Sequence, residues 1–365
     1  MVFDIFALNT PQICIDIGCR NIKVAQIMKK GSSILIEKFG IIDTPEGCLQ
    51  NGAIINMDHI VKAIDTVIST NKMAAKKSRI IVSATNVVAR IYDIDKNKNE
   101  PLDRTVYNKV IPNNLPINIQ DYRVDYKLLD TYSVGSEEKC KIFVTAVPKV
   151  SLQSYISVLS GLGMTPVSLD IPANCILKFF CKNTDIVNVS SVNKASSKEN
   201  DIYAVIDFGS ETTTINVFNK NNLEYNRVIQ YGGNNIDSKI AKHLQISTKQ
   251  AELLKMKYGM IMPDEDSPKE HFMIYDTICT CAEDIIKQIS SCLDLFLRKF
   301  GIKNLNSVIP IGGASLLKGL DDMLKSSLKT RVQSVSHINH TGIRLKDGVG
   351  QENLPYMVNC IGVSM

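Results

Sequence analysis

Ile15-Asp16-Ile17-Gly18 and Ile206-Asp207-Phe208-Gly209 are two copies of one phrase. Laying one on the other pairs Asp16 with Asp207, Gly18 with Gly209, Asn21 with Thr212 and Val24 with Ile215. Each copy is an apolar run, an acid, a glycine, a short polar tract and a second apolar run, which predicts strand, tight turn, strand. One copy alone is ordinary Asp-Gly turn chemistry. Two matched copies predict two similar domains facing a common cleft. Two aspartates and two glycine turns suit a metal–phosphate ligand. A shared Mg²⁺ would be held by Asp16 and Asp207 through its bound waters, which Mg²⁺ gives up reluctantly. The glycines let backbone N–H groups approach phosphate oxygens, at about 1.5–3 kcal/mol for each charge-assisted bond. Asn21, Lys23, Thr212 and Thr213 add side-chain donors.

At 365 residues the chain can build two cores. The first block, to about residue 89, predicts strand-turn-strand over Ile13 to Ile27, a strand near Leu35 to Ile42, an amphipathic helix carrying Ile60, Ala63, Ile64, Val67 and Ile68, and a strand at Ile80 to Ala84. That order is an α/β layered domain. A different texture starts near Arg90: a helix opening at Pro101 and ending before Pro112, strands at Tyr122 to Leu128 and Lys141 to Val147, and a helix from Val150 to Leu162. This α-β-β-α insertion has the size of a small subdomain. Residues 182–200, rich in Asn, Ser and Lys, predict a mobile connection. Beyond the second hairpin come Gly232-Gly233-Asn234-Asn235, a helix opening with the capping box Ser247…Gln250, and a long helix from about Met273 to Phe300. Strand Val308 to Ile311 then runs through Gly312-Gly313-Ala314-Ser315 into a helix over Leu316 to Leu328. The resulting division places residues 1–89, 165–200 and 345–365 in a first domain. Residues 90–164 form the insertion, and 201–344 form a second domain with a helical part near 232–301.

Bulk properties exclude several classes. Hydrophobic residues make up 44% and charged residues 22%, as in an ordinary globular protein. Net charge is +5 without a dense basic block, which argues against nucleic-acid binding. No run approaches the ~18 apolar residues that span a bilayer. The start, Met1 to Pro11, lacks the basic region of a signal peptide; its Phe3, Ile5, Phe6 and Leu8 predict a short apolar turn packed on the body. Ten cysteines stand singly without C-x-x-C spacing, as expected of core residues in a reducing cytosol rather than metal ligands. Neither a Walker P-loop nor a G-x-S-x-G elbow is present.

Two further sites have two readings each. Glu252 and Lys255 share one helix face, either as an exposed ion pair worth under ~1 kcal/mol or as polar clamps on a ribose. Gly312-Gly313-Ala314-Ser315 is either a strand-to-helix turn with Ser315 as N-cap or a bare-backbone approach for an adenine ring.

Taken in order, the two Asp-Gly hairpins, the insertion between them, Gly232-Gly233, Ala251-Glu252-x-x-Lys255 and Gly312-Gly313-x-Ser315 resemble the actin-like ATPase superfamily of actin, Hsp70 and sugar kinases. The resemblance implies two RNase-H-like domains around an ATP cleft. It would place Asp16, Gly18 and Lys23 in the first phosphate loop, and Asp207, Gly209, Thr212 and Thr213 in the second. Glu252 and Lys255 would lie on the ribose, and Gly312, Gly313 and Ser315 on the adenosine. Within the superfamily the chain is similar to the PilM family of type IV pilus assembly, through Ile15-Asp16-Ile17-Gly18 with Lys23, the insertion, Ser168-Leu169-Asp170-Ile171-Pro172-Ala173-Asn174 and the ending Leu354 to Met365. That likeness implies a cytoplasmic scaffold at the inner face of the membrane, with the insertion and its neighbouring groove holding the N-terminal tail of the membrane protein PilN. The likeness also implies contacts with other pilus assembly proteins and leaves self-association open. One departure concerns turnover. Where many relatives place a water-orienting Glu or Gln, this chain offers Asp170, Pro172 and Asn174, so ATP binding with weak or absent hydrolysis is expected. An FtsA-like cell-division protein and a small-molecule kinase are the alternatives, the first lacking here the amphipathic membrane helix of its family and the second a substrate base.

Overall fold

The computed structural model describes residues 10–31, 33–84, 86–96, 100–115, 117–182, 201–261, 271–337 and 342–365. The apolar turn expected at residues 1–9 and nearly all of the connection expected at 182–200 lie outside them. The elements are β1 (Gln12–Ile17), β2 (Asn21–Lys30), β3 (Ser33–Asp43), β4 (Leu49–Gln50), β5 (Ala53–Ile54), α1 (Met57–Thr70), β6 (Lys77–Ile81), β7 (Val88–Asp95), α2 (Leu102–Thr105), α3 (Ile111–Asn114), β8 (Tyr122–Val134), β9 (Glu137–Pro148), α4 (Lys149–Gly161), β10 (Thr165–Asp170) and α5 (Pro172–Lys182). They continue with β11 (Ile202–Phe208), β12 (Thr213–Asn219), β13 (Asn222–Ile229), α6 (Gly233–Leu244), α7 (Thr248–Tyr258), α8 (Phe272–Phe300), β14 (Ser307–Ile311), α9 (Leu320–Leu328), β15 (Arg331–Val332), β16 (Ile343–Leu345) and α10 (Leu354–Ser364). The chain divides into one unit of Met1–Lys182, Gly342–Val349 and Asn359–Met365, and a second of Asn183–Thr341 and Gly350–Val358.

The first unit is organised by a six-stranded sheet in the order β10-β6-β1-β2-β3-β16. Strands β1 to β3 form an antiparallel meander, and β6 and β10 add in parallel to β1. Residues Ile13, Cys14, Ile15 and Ile17 of β1 are all buried, as a central strand covered on both faces requires. Helix α1 is capped by Asn56, whose side-chain Oδ1 accepts from the His59 N–H, and buries Ile60, Ala63, Ile64 and Val67. The strand expected at Ile80 to Ala84 sits earlier, at Lys77–Ile81. At Val82 the chain leaves the sheet, after its N–H makes one last bond to the Asp170 carbonyl at 2.8 Å.

A separate three-stranded sheet, in the order β7-β9-β8, has its own apolar cluster of Val106, Val110, Ile111, Val124, Ile142 and Val144. Sequence reading gave this region two strands; β7 is the third, paired along its length with β9. The helix expected to end before Pro112 instead runs through it. Val106–Val110 adopts a π turn, and the Ile111 N–H reaches back five residues to the Val106 carbonyl. That shift absorbs the missing proline N–H without stopping the helix.

The second unit carries a five-stranded sheet in the order β13-β12-β11-β14-β15. Helix α8 buries Ile274, Ile278, Cys281, Ile285, Ile289, Leu293 and Phe296, an apolar stripe at helical spacing. The helix expected over Leu316 to Leu328 is split: a 3₁₀ turn spans Gly313–Leu316, and α9 begins only at Leu320. Gly319 precedes it at φ 89, left-handed backbone that favours glycine and interrupts a continuous helix.

Candidate functional site

In the first unit, β1 and β2 place Asp16 opposite Lys23 and leave Gly18, Cys19 and Arg20 as the turn. The Gly18 N–H donates to the Asn21 carbonyl at 3.1 Å, and the Thr44 hydroxyl donates to the Gly18 carbonyl at 2.7 Å. Asp16 is 3% exposed. Its Oδ2 lies 3.5 Å from the Lys23 ammonium and accepts from Asn359 Nδ2 at 3.3 Å. The same ammonium covers the turn, since a Cβ built on Gly18 would stand 3.1 Å from it. Asn21 is not part of this group: its amide donates to Asp43 at 3.1 Å.

Asp16 rests on buried thiols. Cys14, Cys175 and Cys360 are fully buried. Burial pushes Cys14 up to about 12, and Cys175 and Cys360 are raised by burial with the negative charges of Asp170 and Asp16 adding. All three are neutral small packing groups.

Asp170 ends β10 level with Ile81, which is level with Asp16 on β1. Two carboxylates thus stand at the C-terminal ends of parallel strands, two strand spacings or about 10 Å apart. Such strand ends are where open α/β sheets bind ligands. Asp170 is heavily engaged, however. Its Oδ1 accepts from the Ile171 N–H and from Asn174 Nδ2, each at 2.8 Å, and its Oδ2 from Lys178 at 2.6 Å.

In the second unit, Asp207 and Gly209 follow the same plan. The Gly209 N–H donates to the Thr212 carbonyl at 3.0 Å. The start of α6 docks on this turn: the Gly233 N–H donates to the Gly209 carbonyl at 3.0 Å and the Asn234 N–H to the Ser210 carbonyl at 2.7 Å. A Cβ on Gly232 would lie 2.6 Å from the Ser210 carbonyl oxygen, so this approach requires glycine. Gly312, at φ 83 after β14, presses on the other side, where a Cβ would lie 2.3 Å from Asp207 Oδ1. Gly209, Gly232-Gly233 and Gly312 therefore meet at the turn that follows β11. Gly312 also donates its N–H to the Pro355 carbonyl, and the ring of Tyr356 lies over Gly313.

Lys255 joins this cluster from α7, 2.8 Å from the Asp237 carboxylate and 3.4 Å from the Gly233 carbonyl. Its side chain is 16% exposed and that of Asp237 8%, while Glu252 is 6% exposed. The surface ion pair considered for Glu252 and Lys255 is therefore corrected: α7 packs this face on α6. Thr213 is also elsewhere, buried with its hydroxyl donating to the Tyr231 carbonyl at 2.8 Å. Ser315 is no helix N-cap; its hydroxyl folds back on the Gly312 carbonyl at 2.7 Å. Asn359, Lys178, Asp237 and Tyr356 were not found by sequence reading.

A family profile described as type IV pilus assembly protein PilM matches residues 14–364. The chain belongs to that PilM family. A solved PilM-PilN type IV pilus biogenesis complex contains a chain 18% identical to this one, with a TM-score of 0.80 and 98% of each chain covered. MreB5 of Spiroplasma citri bound to AMPPNP is 13% identical, with a TM-score of 0.51 over 97% of this chain and 94% of its own. These likenesses show the actin-like ATPase fold. FtsA of Bacillus subtilis is 24% identical over 368 residues, covering 92% of this chain and 80% of FtsA. As a PilM-family member the chain is a scaffold protein of type IV pilus assembly. Among its described residues no helix is long and apolar enough to cross a membrane.

Proposed function

We propose that the chain binds Mg-ATP through the Asp16 and Asp207 hairpins and uses it as a switch that controls partner docking. The observation that carries this reading is the hairpin built twice, each time with an aspartate at the strand end and a glycine turn beside it. Asp16, Gly18 and Lys23 would contact the phosphates. Asp207, Gly209, Thr212, Gly232 and Gly233 would contact them as well, with Glu252 and Lys255 toward the ribose and Gly312, Gly313 and Ser315 toward the base.

The residues fit a hydrated Mg²⁺. Asn359 donates to Asp16, while its own Oδ1 is buried without a protein partner. That acceptor suits a metal-bound water. When bound, the ion would neutralise phosphate charge. Lys23 would keep its charge beside Asp16 and reach an anionic oxygen without desolvating a new group. Asp170, held by Lys178, Asn174 and backbone, is poorly placed to activate a water, so the reading favours switching over turnover.

The partner would be the N-terminal cytoplasmic tail of a PilN-like membrane protein, docked on the inserted subdomain of residues 90–164. This would hold the chain at the cytoplasmic face of the membrane. The PilM-PilN complex with TM-score 0.80 supports that choice over an FtsA-like role. Thermal unfolding with and without Mg-ATP tests the nucleotide site. Ligand at 100 times its Kd stabilises the binding form by about 2.7 kcal/mol, and Asp16→Ala or Asp207→Ala should each remove that shift. Shifts in the variants equal to that of the unmodified chain would refute it.

A further inference from the structure

The end of the first sheet opposite Asp16 is rich in lysine. Lys29 and Lys30 end β2, Lys76 and Lys77 lead into β6, and Lys72 lies in the same α1–β6 connection. Pairing fixes their neighbourhood. Gln12 of β1 stands opposite Ile27, and Ile13 stands level with Ser78. β1 separates β2 from β6, and Lys29 lies two residues beyond the level of Lys77, so the two are about 12 Å apart. Thr165, at the start of β10, pairs with Lys77 and extends the edge outward.

The segments meeting here are Thr10 to Gln12, Met28 to Gly31, Ser33 to Leu35, Asn71 to Lys77 and Leu162 to Val167. Together they contain five lysines and neither Asp nor Glu. Lys30, Lys72 and Lys76 are exposed, and Lys29 and Lys77 half-exposed. Among the described residues no ion pair holds Lys29, Lys30, Lys72 or Lys76. Glu37, on the adjacent β3, accepts from Gln26 at 2.8 Å, and Gln26 in turn accepts from the Ala74 N–H at 2.8 Å. The connection bearing the lysines is thereby pinned to the sheet, which keeps the charges on one face.

We propose that this lysine edge binds the surface of an anionic lipid bilayer. Row and residue type both favour a lipid surface over a shaped ligand. The flexible ammonium groups of Lys29, Lys30, Lys72 and Lys76 make point-charge contacts with a dense field of phosphates. The planar fork that selects one carboxylate or phosphate belongs to arginine. The contact is additional to docking through a membrane protein and does not rest on the nucleotide reading. With a tethered partner also bound, a weak lipid contact gains from high effective concentration.

The test is vesicle co-sedimentation of the full chain, with phosphatidylcholine alone and with phosphatidylcholine containing phosphatidylglycerol. The unmodified chain should pellet with the anionic vesicles only, and about 1 M salt, with its Debye length of about 3 Å, should release it. Each lysine near an anionic surface raises partitioning about fivefold. The variant Lys29→Gln/Lys30→Gln/Lys72→Gln/Lys76→Gln should therefore lose it by more than about a hundredfold. A control with the same net charge, Lys242→Gln/Lys249→Gln/Lys303→Gln/Lys325→Gln, alters exposed lysines of the second unit and should pellet nearly as well as the unmodified chain. Equal losses in both variants would show a net-charge effect and overturn the proposal. So would failure of the unmodified chain to pellet, which would point to an acidic protein segment instead. Thermal unfolding of both variants, expected to be unchanged, separates lost binding from lost folding.

Discussion

At the scale of the residue, Gly312 shows how little room the Asp207 turn leaves. Its φ of 83 is left-handed, and a Cβ would stand 2.3 Å from Asp207 Oδ1. Gly301 is a natural control, with φ 65 and nothing within 4 Å of its built Cβ. Gly301→Ala should cost only the left-handed strain, about 1–2 kcal/mol. Gly312→Ala adds overpacking, for a total of about 2–4 kcal/mol, and displaces the carboxylate. Urea unfolding should rank the two in that order, and only Gly312→Ala should reduce stabilisation by Mg-ATP. Equal costs would mean that Asp207 yields freely and is not held by the glycines. Asp16, Gly18 and Asp207 were legible in the sequence because a repeated phrase aligns them on a turn that folds locally, and Lys23 faces Asp16 across that turn. Asn359 was not, since it reaches Asp16 from 343 residues away. Asp237 was hidden likewise: it meets Lys255 only once α6 and α7 pack. Thr213 illustrates the opposite error, a polar residue in the right phrase whose strand register turns it toward Tyr231.

Elements repeat the lesson with different physics. The capping box at Ser247 and the apolar stripes of α1 and α8 depend on neighbours a few residues away, and they occur where their spacing places them. Pro112 misled because proline is a stop only while hydrogen-bond register is fixed; the π turn moved the register by one residue instead. Strand β7 escaped notice because it lies at one edge of its small sheet, half-exposed, without clear alternation. The packing of α10 on α5 is equally long-range, with a Cβ on Gly362 falling 2.1 Å from the Cys175 carbonyl oxygen. Around that contact Cys14, Cys175 and Cys360 stay protonated, which has a pH consequence. Unfolded thiols ionise near 9, whereas folded Cys14 is pushed up to about 12. Unfolded chain therefore binds fewer protons in that interval, and stability contributed by the neutral thiols is complete below pH 9 and falls as pH rises toward 12. Urea midpoints measured from pH 8 to 10 should decline. In Cys14→Ala/Cys360→Ala the decline should be shallower, although the variant is less stable at pH 8 through lost packing. An unchanged slope in that variant would assign the alkaline loss to other groups.

For the whole molecule, family membership supplies the pilus, while the proposed switch rests on coupling between two ligands. A nucleotide that favours a docking-competent form must bind that form better, because a ligand with equal affinity for both forms shifts nothing. Linkage then makes a strict demand. If Mg-ATP changes the affinity for a PilN-like tail peptide by some factor, the peptide must change the affinity for Mg-ATP by the same factor. Typical couplings of 1–3 kcal/mol correspond to about 5–150-fold. Calorimetric titration of each ligand in the absence and presence of the other gives both ratios independently. Matching ratios well above one are expected, and Asp207→Ala should bring the peptide ratio to one without weakening peptide binding to the nucleotide-free chain. Two ratios of one would leave a scaffold whose nucleotide is structural. Unequal ratios would show that ATP is consumed during the measurement. The clamped state of Asp170 argues against that result, and a non-hydrolysable ATP analogue in the same titration would expose it.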